Sequence, residues 1–189
     1  MLIMLTAGET VFTEQKIYQG RVYADFTERG IEQMDYAANT LSHYNIDKIY
    51  SSDLYDAQDV LQRVQKASGG DVPYELVMEL RERSGGLYEG KTYAEIRKGK
   101  SPRQYRVWER DPKEGPEGGE SLYDVKFRLD EWIPQLIHDL KQNKTILVIS
   151  HPDTIKVLIA IMRGDKLEDV MSIKIETAIP YFWHGIPND

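Results

Sequence analysis

The feature that most constrains the fold is a repeated alternation between apolar runs and helical patterns along the chain. Residues 2–5 and 145–150 are almost wholly apolar. Short runs of this kind are typical of strands that are buried on both faces of a sheet. Elsewhere, apolar residues recur every three or four positions, as they do on one face of a helix. Helices are therefore predicted at about 28–44, 54–67, 122–140 and 154–163.

Further strands are predicted at 47–51, 75–80 and 173–183. The last of them contains Pro180, which favours a position at the edge of a sheet. Strands that alternate with helices predict an α/β fold, here a three-layer α/β/α sandwich with a mostly parallel sheet. The length of 189 residues suits one domain, 1–189. Within it, residues 85–119 are rich in glycine, proline and arginine, which indicates an inserted cap or loop.

Composition narrows the classes of function. A formal net charge of -7 argues against binding to nucleic acids or to anionic membranes. The chain has no cysteine, which excludes disulfides and thiolate metal sites. No apolar run is long enough for a signal peptide or a membrane span, so we expect a cytoplasmic location. The sequence calls for no cofactor and no metal, and it is compatible with a homodimer and with an unidentified small-molecule or protein partner.

Three polar segments follow predicted strands directly. They are residues 6–10, 51–54 and 150–151. In an open parallel sheet, ligands bind beyond the carboxyl ends of the strands. The three segments are therefore predicted to converge on one site.

The same segments belong to a longer ordered series of motifs. The series comprises 6–10 (Thr-Ala-Gly-Glu-Thr), 19–20 (Gln-Gly), 26–30 (Phe-Thr-Glu-Arg-Gly), 51–54 (Ser-Ser-Asp-Leu), 80–90 (with Leu-Arg-Glu and Gly-Leu-Tyr-Glu-Gly), 118–121 (Gly-Gly-Glu-Ser) and 148–151 (Val-Ile-Ser-His). In this order the chain resembles the histidine phosphatase superfamily, the phosphoglycerate-mutase-like proteins, over roughly residues 1–180. The resemblance implies that family's α/β/α fold.

The resemblance also implies roles for individual positions. In the family, a histidine of the first motif attacks phosphorus and becomes phosphohistidine. Two arginines and a late histidine hold the phosphoryl oxygens, and a glutamate protonates the leaving group. At these positions the chain has Ala7 for the nucleophile, Thr6 and Asp56 for the arginines, His151 for the late histidine and Glu82 for the acid. The other predicted substrate-binding positions are Glu9, Thr13 (often asparagine in the family) and Pro152 (usually glycine).

The substitutions change the expected chemistry. An alanine methyl cannot attack phosphorus, and deleting a nucleophile costs on the order of 10⁴–10⁶ in rate. Threonine and aspartate in place of two arginines make the pocket three units more negative, which predicts that the phosphate clamp is lost and its sign reversed. We therefore expect a chain that is inactive as a phosphatase and acts as a binding or regulatory protein.

Two alternatives remain open at this stage. The chain could retain weak phosphoesterase activity or carry out altered chemistry with His151 and Glu82. It could also be an engineered inactive variant of an active phosphatase, although three coordinated substitutions favour natural divergence. A more specific hypothesis is that Asp56, Glu82, Glu9 and His151 line a cavity for a cation, either an amine or a divalent metal. The plainer interpretation of these residues is a set of solvated loop charges.

The predicted insert contains two further sequence patterns. Residues 85–92 match the Gly-x-x-x-x-Gly-Lys-Thr pattern of a phosphate-binding loop, but a charged segment rather than a buried strand precedes them. We therefore assign them to the acid-bearing loop of the family. Arg103, Arg106 and Arg110 share one side of a predicted helix, where they either supply positive charge to the site or form a solvated face.

Overall fold

The computed structural model describes residues 1–98 and 111–185. One five-stranded sheet forms the centre of the molecule, in the order β3-β2-β4-β1-β5. The strands are β1 (Leu2–Thr6), β2 (Lys48–Ser52), β3 (Tyr74–Val77), β4 (Ile146–Ser150) and β5 (Tyr181–Trp183). The first four run parallel, and β5 pairs antiparallel with β1 at one edge. The predicted α/β fold with a mostly parallel sheet is confirmed.

Helices cover both faces of the sheet. They are α1 (Val11–Glu14), α2 (Glu28–Leu41), α3 (Tyr55–Ala67), α4 (Tyr93–Lys98), α5 (Leu122–Lys141) and α6 (Pro152–Arg163). Side chains alternate between the two faces along each strand. In β1, Ile3 and Leu5 pack with α2 and α3, whereas Leu2 and Met4 pack with α5 and α6. The two apolar cores account for the three layers.

Local capping explains where two of the helices begin and end. The hydroxyl of Ser121 accepts a hydrogen bond from the backbone N–H of Asp124, and the Asp124 carboxylate accepts one from the Ser121 backbone N–H. This capping box satisfies N–H groups that would otherwise lack partners at the start of α5. Gly164 adopts the left-handed conformation that ends α6, with φ at 72°. No helix in residues 1–98 or 111–185 is long and apolar enough to cross a membrane.

Several predicted boundaries were wrong. Helix α2 ends at Leu41, three residues before the predicted end, and Ile31 and Tyr44 are exposed rather than part of its apolar face. The third strand ends at Val77, because the chain continues into the 3-10 turn Met78–Leu80.

At the carboxyl end of the described chain, the predicted strand over 173–183 is reduced to β5. Residues Leu167–Ser172 form a 3-10 helix, and Ala178 has a φ of 52°, a turn conformation that an extended strand cannot include. Of the predicted insert, the structure describes a 3-10 turn, Gly86–Tyr88, and helix α4. Arg103, Arg106 and Arg110 lie outside the described residues, so the arginine helix face stays a prediction, as does the division of the chain into one domain with an insert.

Candidate active site

A cavity of about 390 Å³ opens at the carboxyl ends of β1, β2 and β4. Its position is a consequence of the parallel sheet, because the loops that follow these three strands emerge at the same edge. Of the eight residues that the sequence analysis singled out, the structure brings seven to its wall: Thr6, Ala7, Thr13, Asp56, Glu82, His151 and Pro152. Segments 6–10 and 150–151 converge at this wall, whereas segment 51–54 contributes no residue to it and reaches the site through the contact of Ser52 with His151.

The eighth residue, Glu9, does not line the cavity. Its carboxylate accepts a hydrogen bond of 3.0 Å from the Thr27 hydroxyl and lies 3.9 Å from the Arg29 guanidinium. The side chain points toward the start of α2, so Glu9 braces the first loop against that helix rather than facing a ligand.

The loop that carries Ala7 is held by a close contact between two segments of the main chain. A Cβ atom built on Gly8 would lie 2.1 Å from the carbonyl oxygen of Gly30, and one built on Gly30 would lie 2.0 Å from the carbonyl oxygen of Glu9. Real Cβ contacts are never this short. Both positions therefore require glycine, which brings the loop against the first turn of α2.

His151 is fixed by partners at both ring nitrogens. Its Nε2 lies 2.8 Å from the Ser52 hydroxyl, and its Nδ1 lies 3.5 Å from an oxygen of the Asp56 carboxylate. The Ser52 hydroxyl also accepts a hydrogen bond of 3.2 Å from the Leu54 backbone N–H. This network favours the tautomer in which Ser52 donates to Nε2 and Nδ1 carries the proton toward Asp56.

The contacts from Ser52 to His151 and from His151 to Asp56 link a hydroxyl, an imidazole and a carboxylate, as in the catalytic triad of serine hydrolases. However, the Ser52 side chain is fully buried and is not part of the cavity wall. The hydroxyl cannot reach a substrate in this arrangement. We conclude that Ser52 orients the imidazole and is not a nucleophile.

Asp56 lies in the first turn of α3 and is ionised at neutral pH. Burial alone would raise the pKa of its carboxyl, but the hydrogen bond and charge interaction with His151 outweigh burial and lower it below the ordinary 3.8. One carboxylate oxygen also accepts a hydrogen bond of 3.0 Å from the Ala57 backbone N–H. A carboxylate therefore stands at the cavity wall where the family resemblance would place an arginine.

The lowered pKa of Asp56 predicts a pH-dependent contribution to stability. A carboxyl whose pKa is lower in the folded state stabilises the fold above its unfolded value of 3.8, and this contribution falls progressively below about pH 5. We expect Asp56→Asn to lower the free energy of unfolding by about 1 kcal/mol at pH 7. Urea unfolding of both proteins from pH 7 down to pH 3.5 measures the difference, which should shrink as the pH falls. A difference that stays constant or grows would contradict the assigned pKa direction.

Glu82 is held by the N-terminus of α6. Its carboxylate accepts hydrogen bonds from the backbone N–H groups of Arg83 at 2.7 Å, and of Asp153 and Thr154 at 3.3 Å each. Burial raises the pKa of Glu82, and the Asp153 carboxylate raises it further, whereas His151 opposes the shift. Glu82 therefore keeps its proton to a higher pH than an ordinary glutamate does, as a proton donor would.

Two lysines that the sequence analysis missed also line the cavity. Lys156 lies on the first turns of α6, and its Nζ is 3.1 Å from an Asp153 carboxylate oxygen. Lys16 lies at the exposed rim, just after α1. The two positive charges offset part of the acidic charge at the wall, to which Asp153 also contributes, so the reversal of sign stays a prediction. The position of Lys156 one turn beyond His151 was the signal that could have revealed it.

The segment 85–92 is not a phosphate-binding loop in the structure. The loop is filled by a side chain of its own, because the Glu89 carboxylate accepts hydrogen bonds from the backbone N–H groups of Gly85 at 2.7 Å and Arg21 at 3.1 Å. No strand leads directly into it, since the preceding residues follow a 3-10 turn. The interpretation of this segment as part of the acid-bearing loop agrees with its place beside Glu82.

Metal binding finds little support in the described residues. Within residues 1–98 and 111–185, no group of three or more histidine, aspartate and glutamate side chains is placed to hold an ion. Asp56, Glu82 and His151 share the cavity, as the cation hypothesis requires, but Glu9 does not.

Comparison with known proteins identifies the family that the sequence and the fold resemble. The model of the histidine phosphatase superfamily (branch 1) matches residues 2–179. The chain is 25% identical to a 2,3-bisphosphoglycerate-dependent phosphoglycerate mutase of Chlamydia caviae, over 97% of this chain and 94% of that protein. It is 28% identical to a protein of the same description from Mesorhizobium japonicum, over 96% of this chain and 90% of that protein.

Solved structures agree with the sequence matches. A mycobacterial glucosyl-3-phosphoglycerate phosphatase superposes with a TM-score of 0.81 and 25% identity, over 92% of this chain and 84% of that one. The alpha-ribazole phosphatase of Shigella flexneri superposes with the same TM-score of 0.81 and 25% identity, over 95% of this chain and 87% of that one. The whole architecture, and not only the sheet, is therefore shared with these proteins.

Proposed function

Because the chain belongs to the histidine phosphatase superfamily (branch 1), we propose that it is a member without phosphatase turnover, which binds a small molecule or a partner protein in its cleft. The observation that carries the proposal is that, within residues 1–98 and 111–185, no imidazole nitrogen at the cavity wall is free. Ala7 has none to offer, and the two ring nitrogens of His151 are engaged by Ser52 and Asp56. In the part of the chain that the structure describes, a phosphoryl group in this cleft would therefore meet no free imidazole.

The two positions that would have to hold phosphoryl oxygens support the same conclusion. The Thr6 hydroxyl accepts a hydrogen bond of 3.1 Å from the Ala178 backbone N–H, so its role in this chain is to anchor the last loop. Asp56 is ionised and would repel a phosphate oxygen. Losing one such preorganised donor costs about 10²–10³ in rate, in addition to the loss of the nucleophile, although the two costs do not simply add.

A phosphatase assay on the unmodified protein tests the proposal. We expect the rate of hydrolysis of an aryl phosphate to equal that of the buffer from pH 5 to pH 9. Glu82→Gln is the matched control, because it removes the candidate proton donor and keeps the size of the side chain. Turnover above the buffer rate that falls in the Glu82→Gln variant would overturn the proposal, since it would show that the cleft itself catalyses the reaction.

A second candidate function is hydrolysis by altered chemistry. It is favoured by the raised pKa of Glu82, which suits a general acid, and by the Asp56–His151 pair, which has the arrangement of a general base and its orienting carboxylate. In this case a panel of carboxylic and phosphate esters should include one whose turnover is lost in both Glu82→Gln and His151→Ala. Loss in neither variant would rule out a reaction at this site.

A further inference from the structure

A second, smaller cavity adjoins the mouth of the candidate site. It measures about 20 Å³ and shares Gly20 and Asp56 with the larger cavity. Its outer wall is formed by Val22, Tyr23 and Tyr55, which we call the aromatic lip. Asp56 therefore stands at the junction between the interior of the cleft and the lip.

The valine and tyrosine side chains of the aromatic lip are unusually exposed for apolar and aromatic residues. Tyr23 is 50% exposed, Tyr55 is 73% exposed and Val22 is 40% exposed. The two rings meet edge to face, with centroids 6.1 Å apart and planes at 82°. Contiguous apolar surface at the rim of a pocket is a common mark of a ligand site. An edge-to-face pair also leaves at least one ring face open, and ring faces attract cations.

The surroundings of the lip are acidic. The Tyr23 hydroxyl donates a hydrogen bond of 3.3 Å to the Asp25 carboxylate. Asp56 lines the same small cavity as Tyr23. Partial desolvation raises the pKa of the Tyr23 phenol, and the nearby negative charge of Asp25, Asp59 and Asp56 raises it further. An anion at the lip would be repelled by these charges, whereas a cation would be attracted.

Arg21, which also lines the small cavity, does not cancel this charge. Arg21 Nη2 lies 2.8 Å from a Glu120 carboxylate oxygen, and its Nε donates a hydrogen bond of 2.8 Å to the Glu82 backbone carbonyl. The guanidinium is thus directed behind the cavity wall. The lysines of the larger cavity belong to the segments after β1 and β4 and do not line the lip.

We propose that the aromatic lip and Asp56 form a binding site for a small organic cation, an ammonium or quaternary ammonium compound, with the two tyrosine rings as its walls and Asp56 as its counter-ion. The inference deepens the proposed binding function and rests on it. It also narrows the ligand class, because rings do not coordinate divalent metals whereas they do hold alkylammonium groups.

Calorimetric titration of the full chain with choline tests this site. The matched uncharged probe is 3,3-dimethylbutan-1-ol, which has carbon in place of the quaternary nitrogen. We expect choline to bind and the alcohol to bind at least about tenfold more weakly, since only the charged probe gains from Asp56 and the ring faces. Inorganic phosphate, the third probe, should not bind at the lip and should not compete with choline.

Two variants locate the site, and one serves as a control. Tyr55→Ala should weaken choline binding about two- to fivefold, the size of a cation–π contact at an exposed site. Asp56→Asn should weaken it about tenfold or more, and its unfolding curve shows whether the fold is intact. Tyr36 on α2 is an equally exposed tyrosine, 69% exposed, that lines neither cavity. Tyr36→Ala should leave the affinity unchanged.

Each other outcome has a defined meaning. Equal binding of choline and its uncharged analogue, no binding of choline, or equal weakening by Tyr36→Ala and Tyr55→Ala would overturn the proposed site. Binding of a lysine-containing peptide in the absence of choline binding would also overturn it, in favour of a protein partner. None of these results bears on the proposed absence of phosphatase turnover, because turnover is measured in a separate assay. Detectable turnover in the unmodified protein would overturn the proposed function instead.

Discussion

Replacing Ala7 by His, Thr6 by Arg and Asp56 by Arg in one protein is expected to give phosphomonoester hydrolysis well above the rate of the unmodified chain. The first replacement supplies a nucleophilic nitrogen on a loop that is already positioned at the cleft. The other two supply planar guanidinium groups, which suit phosphate oxygens and raise the charge of the pocket by three units. Asp56→Arg also releases Nδ1 of His151 from its contact with the Asp56 carboxylate.

The matched control is the double variant Thr6→Arg with Asp56→Arg, in which Ala7 is kept. It has the same charge change and the same loss of the hydrogen bond between Thr6 and the Ala178 backbone N–H, which costs about 1 kcal/mol of stability in both variants. The triple variant should exceed the double variant by about 10⁴-fold in turnover, because only the triple variant has a nucleophile. Steady-state hydrolysis of an aryl phosphate, with acid-labile phosphate trapped on the protein, measures this difference.

Two outcomes of this experiment would contradict the proposed function. A folded triple variant that is no faster than the double variant would mean that position 7 does not face the phosphoryl group. Turnover of the unmodified chain at the level of the triple variant would mean that another residue is the nucleophile. Circular dichroism and urea unfolding of all three proteins establish that the comparison is between folded molecules.

The second large expected effect is a loss of stability at the contact between the first loop and the start of α2. Helix propensity alone predicts that Gly30→Ala stabilises α2 by about 1 kcal/mol. However, the new methyl group would lie 2.0 Å from the carbonyl oxygen of Glu9, which belongs to the backbone and cannot rotate away. Overpacking of this kind costs about 1–3 kcal/mol or more. We therefore expect Gly30→Ala to lower the free energy of unfolding by about 2 kcal/mol or more, the opposite sign to the propensity.

Glu32→Ala is the control for this substitution, since Glu32 is exposed on the same helix. It should change the free energy of unfolding by less than about 0.5 kcal/mol. Denaturant unfolding at pH 7 measures both variants. A Gly30→Ala protein as stable as the unmodified chain would show that the first loop can move away from α2 without cost.

The sheet and the position of the cleft could be predicted because they depend on local patterns. The apolar runs of β1 and β4 and the helical periodicity around them are visible in a short window of sequence. Parallel strands then bring their carboxyl ends to one edge, which is why Thr6 and His151, at the ends of β1 and β4, lie at the same cavity. These predictions needed only the alternation of strands and helices.

Other parts of the site depend on the path of loops, which periodicity does not reveal. Glu9 is adjacent to cavity residues in sequence, yet the contact between Gly8 and Gly30 turns its side chain toward α2. The aromatic lip joins residues 22–23 to residue 55, which come together only because the loop after α1 folds across the start of α3. The pairing of Asp56 with His151 likewise joins two loops of the folded chain.

The contact between Gly8 and Gly30 has a consequence for how such a protein can change over evolutionary time. Because main-chain atoms hold this loop, the side chain at position 7 contributes little to its placement, and that position can vary without rebuilding the scaffold. In such a cleft, the residues that hold the loop in place are different from the residue that would react. The chain is therefore a suitable host for introduced catalytic groups, and a lineage could lose or regain a reaction here through a few codon changes.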